Sequence, residues 1–176
     1  AVMPRDAVWA RDVTISHTTW GNRIFPIYDP KTSVHSVGAA IGAGLPLGIG
    51  AALGAGEGRK TVTMVGDGGF ALGLCELWTA TQERAELVTM VMNDGGYGVI
   101  RHIQDAVADG RRFGDTPLMP NLEALAAIAG QPYFRVSHAD EIGPVLAQAL
   151  AVRGPAMLEV DMASVGELPA YPPYST

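Results

Sequence analysis

Thr61-Val62-Thr63-Met64-Val65-Gly66-Asp67-Gly68-Gly69 has a near-copy in Leu87-Val88-Thr89-Met90-Val91-Met92-Asn93-Asp94-Gly95-Gly96. Each is a continuously apolar, β-branched run that stops at an acid set among glycines. Runs of this kind, without polar alternation, suit strands covered on both faces, as in a parallel sheet. Residues 72–83, between them, read as a helix. Strand, turn, helix and strand then make one right-handed crossover, which puts the two strands side by side and parallel. Both acidic turns fall beyond the carboxyl ends of their strands, the edge where open α/β sheets bind ligands.

The same alternation extends both ways. A short strand is expected at residues 13–15, after Asp12. The small, apolar stretch beyond Gly44 reads as a tightly packed buried helix. Residues 99–107 read as another helix. Asn121 is placed as the N-cap of a helix ending near Gly130, and Asp140 as the cap of one reaching about Val152. Glu123 and Glu141 fall early in those helices, where the dipole favours acids. Short strands are expected at 134–136 and 156–160. The fold class is therefore α/β, a three-layer, doubly wound, mainly parallel central sheet with helices on both faces. Residues 1–162 form the domain and 163–176 a Pro- and Tyr-rich tail.

Composition narrows the function. The chain has 176 residues, 48% of them apolar, enough for one domain with a proper core. A net charge of −6 argues against nucleic-acid binding. No apolar run reaches the roughly 18 residues needed to span a membrane, and the first residues carry no signal core. The single cysteine, Cys75, excludes a disulfide framework or a cysteine-based cluster. A reducing, cytoplasmic setting is the default expectation. The 22 glycines concentrate around Gly38–Gly58, Gly66–Gly73 and Gly95–Gly98, which points to tight turns or close approach of backbone to a ligand.

Asp67 and Asp94, brought to one edge, repel each other unless protons or a cation intervene. An incomplete set of oxygen ligands suits Mg²⁺, with phosphate and water completing the octahedron. Flanking glycines expose backbone N–H groups, and helix N-termini favour phosphate. The residues alone thus suggest a metal–diphosphate site. The alternative for them is a pair of ordinary Asp-Gly turns.

Gly66-Asp67-Gly68-Gly69-Phe70 followed by Val91-Met92-Asn93-Asp94-Gly95-Gly96-Tyr97-Gly98 resembles the paired motif of thiamine-diphosphate enzymes. The offset between the acids and the upstream Gly42-Ala43-Gly44-Leu45-Pro46 are similar to the acetolactate synthase-like, 2-oxoacid decarboxylase branch. The resemblance covers roughly residues 10 to 162. It implies the diphosphate-binding domain of an enzyme that decarboxylates or ligates 2-oxoacids through a C2-carbanion and enamine, with thiamine diphosphate and Mg²⁺ as cofactors. Asp67, Asp94 and the carbonyl of Gly96 would hold the metal. Gly66, Gly68, Gly69, Tyr97, Gly98 and Val99 would line the diphosphate, with Ser16 and His17 approaching from the other side. Ile41 would wedge under the cofactor, and the Ala39 carbonyl and Ile41 N–H would face its aminopyrimidine.

Two departures stand out. Asp94 occupies a position where the family usually has Asn. Ile103 replaces a Trp common in acetohydroxyacid-forming members. The family's activating Glu lies on a pyrimidine-binding domain absent from this sequence, so that domain is the implied partner, in a homodimer or homotetramer of the complete protein acting on a small 2-oxoacid. A small separate subunit of a two-chain sulfo- or phosphonopyruvate-type decarboxylase, or a non-catalytic module keeping the fold, are the rival readings. His35 is a candidate substrate-facing residue. His102 and His138 read as solvated, Cys75 as a core residue, and Trp9, Trp20 and Trp78 as packing. Gly54-Ala55-Gly56-Glu57-Gly58-Arg59-Lys60-Thr61 is no P-loop, because Arg59 breaks the Gly-Lys pair and the segment precedes a strand. Gly48-Ile49-Gly50 lacks the third glycine of a dinucleotide fingerprint.

Overall fold

The computed structural model describes residues 2–16, 21 and 24–165. Six strands, β1 (Val8–Arg11), β2 (Ser33–His35), β3 (Thr61–Gly66), β4 (Leu87–Asn93), β5 (Tyr133–Val136) and β6 (Ala156–Asp161), form one sheet. Its order is β2-β1-β3-β4-β6-β5, and every pairing is parallel. The chain runs outward from β1 to β2 on one side and from β3 to β4 on the other. The carboxyl ends of β1 and β3 therefore flank the point where the winding reverses, and a crevice opens there.

Seven helices complete the described fold: α1 (Gly44–Ala55), α2 (Asp67–Gly73), α3 (Glu76–Gln82), α4 (Gly98–Val107), α5 (Leu122–Ile128), α6 (Ile142–Ala151) and α7 (Met162–Val165). Strand residues alternate between two cores. Val65, Leu87, Val91 and Met157 pack with Leu45 and Ile49 of α1, Phe70 of α2, Leu77 of α3 and Leu122 of α5. On the other face Val62, Met64, Val88, Met90, Leu158 and Val160 meet Trp9 and the apolar side of α6 and α7. The expected three layers are present.

Helix α1 lies close against the sheet because glycine stands where the two backbones come nearest, between the buried Leu45 and Ile49. A Cβ at Gly44 would stand 2.5 Å from Val65 Cγ1, and one at Gly48 would stand 2.7 Å from Thr63 Cβ. These two glycines, one turn apart, let the backbones approach until Thr63 Oγ1 donates to the Gly44 carbonyl at 2.8 Å.

Several expectations need correction. The first strand is Val8–Arg11; Val13 and Thr14 lie in the turn beyond it, and Ile15 and Ser16 are helical. Strand β2 and helix α7 were not foreseen. The helix expected over 72–83 is two helices, α2 and α3, joined at Leu74-Cys75, both of which keep right-handed helical angles. Asn121 caps α5 as expected, accepting from Ala124 N at 2.8 Å. Before α6, however, the carboxylate that accepts backbone N–H groups is Glu141, from Ser137 and His138, instead of Asp140. Cys75 is exposed and Trp78 is 45% exposed, whereas Trp9 is buried. His17, Trp20 and residues 166–176 of the tail lie outside the described residues.

Candidate active site

At the carboxyl edge of β1, β3 and β4 lies a cavity of about 530 Å³. Ser16, Ala39, Ile41, Gly66, Asp67, Gly68, Gly69, Asp94, Gly96, Tyr97, Gly98 and Val99 all line it. They come from four separate stretches of chain. His35 is not among the lining residues; it ends β2 and is exposed.

Asp67 is the first residue of α2 and is 2% exposed. Its Oδ2 accepts the Gly96 N–H at 2.7 Å. Burial, and then the nearby charge of Asp94, push its carboxyl up from 3.8 to about 6, against the opposing pull of N–H groups from Gly68 and Gly96. Burial also raises Asp94, against the attraction of Arg101. Two carboxylates that resist ionising, hydrogen-bonded to each other, describe a place where positive charge is wanted.

The Asp94 turn is shaped by glycine. Gly95 and Gly96 have φ of 77° and 144°, which a side chain would strain. A Cβ on Gly98 would sit 1.7 Å from Asp94 Oδ2, so only glycine lets that carboxylate fold over the start of α4. Arg101, one turn into α4, grips the turn from outside. Its guanidinium donates to the Asp94 carbonyl at 2.7 Å and lies 3.3 Å from Asp94 Oδ2. The added charge of Asp at this position therefore has a cation built beside it.

Sequence reasoning missed Asp12. It is 1% exposed and immediately follows β1. Its Oδ1 accepts from Val13 N at 2.7 Å; its Oδ2 accepts from Gly42 N at 2.8 Å and Gly44 N at 3.1 Å. One carboxylate thus ties the loop after β1 to the start of α1 and to the segment bearing Ile41. An acid at the end of an apolar strand was the available signal. It was lost when the strand was placed after Asp12 instead of before it.

The rest of the wall is apolar apart from Thr14: Val13, Ile15, Ala40, Met92, Ile100 and Met162 line the cavity. Ala39, with φ of 57°, holds an uncommon left-handed conformation in the loop leading to Ile41. Ile41 is 38% exposed, a large apolar side chain standing at the cavity.

Residues 14–160 match the family model described as thiamine pyrophosphate enzyme, C-terminal TPP binding domain. The chain belongs to this family. The acetolactate synthase of Bacillus subtilis (strain 168) is 32% identical over 152 residues, covering 82% of this chain and 25% of that protein. The benzoylformate decarboxylase of Pseudomonas aeruginosa is 27% identical over 167 residues, covering 91% of this chain and 30% of that protein. Among solved structures, the Rhodococcus jostii RHA1 thiamine diphosphate-dependent 4-hydroxybenzoylformate decarboxylase superposes with a TM-score of 0.79 at 26% identity, over 90% of this chain and 30% of that one. The chain thus spans less than a third of the length of these relatives. It is a thiamine diphosphate-binding domain of the acetolactate synthase and decarboxylase type.

The donor set of this TPP-binding domain fits a divalent ion that also takes ligand oxygens. Among the described residues no group of three or more His, Cys, Asp or Glu converges as a complete metal cage. Two carboxylates and backbone oxygen leave positions for phosphate and water, the arrangement Mg²⁺ favours. The Gly96 carbonyl lies 3.7 Å from where a Cβ of Gly68 would stand, so the two acidic turns meet closely. No helix among the described residues is long and apolar enough to cross a membrane.

Proposed function

We propose that this domain holds thiamine diphosphate by its diphosphate through Mg²⁺, with Asp67, Asp94 and the Gly96 carbonyl as the protein's metal ligands. Together with a pyrimidine-binding domain it forms an enzyme that decarboxylates or ligates 2-oxoacids. The pairing of buried Asp67 with half-buried Asp94 carries this reading, because its own repulsion is relieved only by a cation or by protons. Gly69, at the start of α2, and Gly98 and Val99, at the start of α4, offer backbone N–H groups to the diphosphate, Gly68 lines it without a side chain, and both helix dipoles favour its charge.

Bound thiamine diphosphate supplies a nucleophilic carbon for the 2-oxo group and an electron sink for the bond that breaks. This chain's residues bind, orient and shield. Asp67 and Asp94 fix the charged end. Ile41 would support the middle of the cofactor, and the Ala39 carbonyl and Ile41 N–H would meet its aminopyrimidine. Ile15, Met92, Ile100 and Met162 would give the bound cofactor apolar surroundings, which suit loss of a substrate's carboxylate charge. The proton acceptor that activates the aminopyrimidine comes from the partner domain, in a dimer or tetramer of the complete protein.

The test is CO₂ release from a panel of aliphatic and aromatic 2-oxoacids by the assembled enzyme. Activity should disappear on chelation and return with Mg²⁺ and thiamine diphosphate together. Calorimetry finding no Mg²⁺-dependent thiamine diphosphate binding to the assembled protein would overturn this reading.

A further inference from the structure

Glu159 stands inside β6, opposite Val91 of β4, and is 8% exposed. Its two carboxylate oxygens are both engaged. Oε1 accepts from Asn93 Nδ2 at 2.7 Å, and Oε2 accepts from the Tyr133 hydroxyl on β5. Asn93 is the last residue of β4, and its own Oδ1 accepts the Gly95 N–H at 3.2 Å. A chain of hydrogen bonds therefore runs from Tyr133 through Glu159 and Asn93 into the backbone of the Asp94 turn.

We infer that Glu159 is a positioning residue for the metal-binding turn, acting through Asn93. This rests on the metal role proposed above for Asp94 and Gly96. An Asn side chain has two nearly isosteric ends, one that donates and one that accepts. A carboxylate facing it accepts only, so Glu159 selects the orientation in which Nδ2 points at β6 and Oδ1 at Gly95. With the amide reversed, an NH₂ group would confront the Gly95 N–H and the turn would lose its hold on the sheet side. Gly95 and Gly96 have no side chains of their own to fix the turn. Arg101 restrains it from outside through the carbonyls of Asp94 and Gly95. The Asn93–Glu159 link restrains it from within through an N–H. Between these two grips the Gly96 N–H is aimed at Asp67. Tyr133 fixes the other oxygen of Glu159. Burial, and then the bond to Glu159, hold its phenol protonated, so it remains a donor.

The experiment measures Mn²⁺ affinity by electron paramagnetic resonance in the assembled protein with saturating thiamine diphosphate, alongside melting of the metal-free form. Glu159→Leu should weaken Mn²⁺ binding by about tenfold to a hundredfold, the usual cost of losing a residue that orients a ligand. Glu159→Gln, which keeps an oxygen for Asn93, should restore most of the affinity. Asn93→Asp is the same size but cannot donate to Glu159. Above neutral pH it should weaken Mn²⁺ binding by about tenfold or more, although its added negative charge alone would strengthen it. A purely structural role would lower the melting temperature and leave Mn²⁺ affinity unmoved. Should Glu159→Leu fail to fold, Asn93→Asp decides. Unchanged or tighter binding by Asn93→Asp, with wild type binding normally, overturns the positioning role alone. Wild type failing to bind Mn²⁺ with thiamine diphosphate overturns the proposed function and this inference with it.

Discussion

Gly96 donates its backbone N–H to Oδ2 of Asp67 at 2.7 Å, so the main chain of the turn after β4 is fastened to the acid that opens the turn after β3. The acid at position 67 serves both turns, while the acid at 94 serves its own. Asp67→Ala should therefore abolish Mg²⁺-dependent thiamine diphosphate binding in the assembled enzyme. Asp94→Asn should be mild, because the amide oxygen still coordinates and one repulsive charge disappears. Calorimetry decides: unchanged affinity in Asp67→Ala would remove the metal site, and an equally large loss in Asp94→Asn would mean Asp94 has another task.

Arg101 matters because position 94 is charged. Arg101→Leu should weaken metal-dependent cofactor binding by breaking the guanidinium contacts to the Asp94 carboxylate and to the carbonyls of the turn. In an Asp94→Asn background the loss should shrink, since the ion pair is already gone and only the carbonyl contacts remain. A double-mutant cycle should give a coupling of about 0.5–3 kcal/mol, the range for residues in direct contact. Strict additivity would show that Arg101 supports the turn without regard to the charge at 94.

In the metal-free protein Asp67 should make stability fall as pH rises. Its carboxyl is raised from 3.8 to about 6, so the folded state holds a proton that the unfolded state releases earlier. The stabilising contribution is complete below about pH 4 and is lost as pH climbs through 6; a rise of this extent corresponds to roughly 3 kcal/mol. Carboxyls held low, Glu86 and Asp161 among them, give the opposite slope, so the measurement is the difference between wild type and Asp67→Asn. Above pH 6 the metal-free variant should melt higher than wild type. Parallel melting curves across this range would rule the effect out.

Helix α1 offers a paired test of close packing. Gly44→Ala should destabilise the fold by about 1–3 kcal/mol, since the new methyl meets Val65 Cγ1 at 2.5 Å and Asp12 Cβ at 2.6 Å. Gly50→Ala, in the same helix with nothing within 4 Å of the added Cβ, should stabilise it by about 0.5–1 kcal/mol. Denaturant midpoints read both. Equal effects would contradict the account of why α1 is glycine-rich.

The chain by itself, saturated with Mg²⁺ and thiamine diphosphate, should turn over no 2-oxoacid at an enzymatic rate. Activating the aminopyrimidine requires a carboxylate at its N1′, so that the 4′-amino group can serve as base. Four acids near this edge are otherwise engaged: Asp12 by three backbone N–H groups, Asp67 by the Gly96 N–H, Asp94 by Arg101, and Glu159 by Asn93 and Tyr133. Adding a pyrimidine-binding domain should restore turnover, and replacing that domain's Glu should remove it again. Robust turnover by the isolated chain would refute this division of labour.

The central strands were legible because burial on both faces writes itself into β3 and β4 as unbroken apolar runs, and each ends in an acid among glycines. Those two turns carried Asp67, Asp94 and their glycines; Ser16, Ala39, Ile41 and Val99 came from the family resemblance the turns opened. Strand β1 was harder. Arg11 and Asp12 interrupt its pattern, although both are buried: Arg11 donates to the Gly21 carbonyl at 3.4 Å and to Ser33 Oγ at 3.3 Å. A charged residue buried by tertiary packing looks, in sequence, like a strand end. The β-branched residues just beyond then drew the strand to the wrong place, and Asp12 was lost with it. Cys75 was assigned to the core from the usual burial of cysteine. It falls instead at the tightened joint between α2 and α3, and Leu77 and Ala80 are the residues of α3 that turn inward. Glu159 gave no local signal at all, because its partners are 66 and 26 positions away in the chain.

The three N–H groups gathered by Asp12 give the cavity a property that its shape alone does not. The loop after β1, the Ile41 segment and the first turn of α1 are cross-braced before any ligand arrives. Their freedom is surrendered when the domain folds, so it does not have to be surrendered again on association. Affinity gained by such advance ordering resides in the unbound protein, out of sight of any inventory of ligand contacts. A residue that never touches the cofactor thus belongs to its binding free energy as much as one that does.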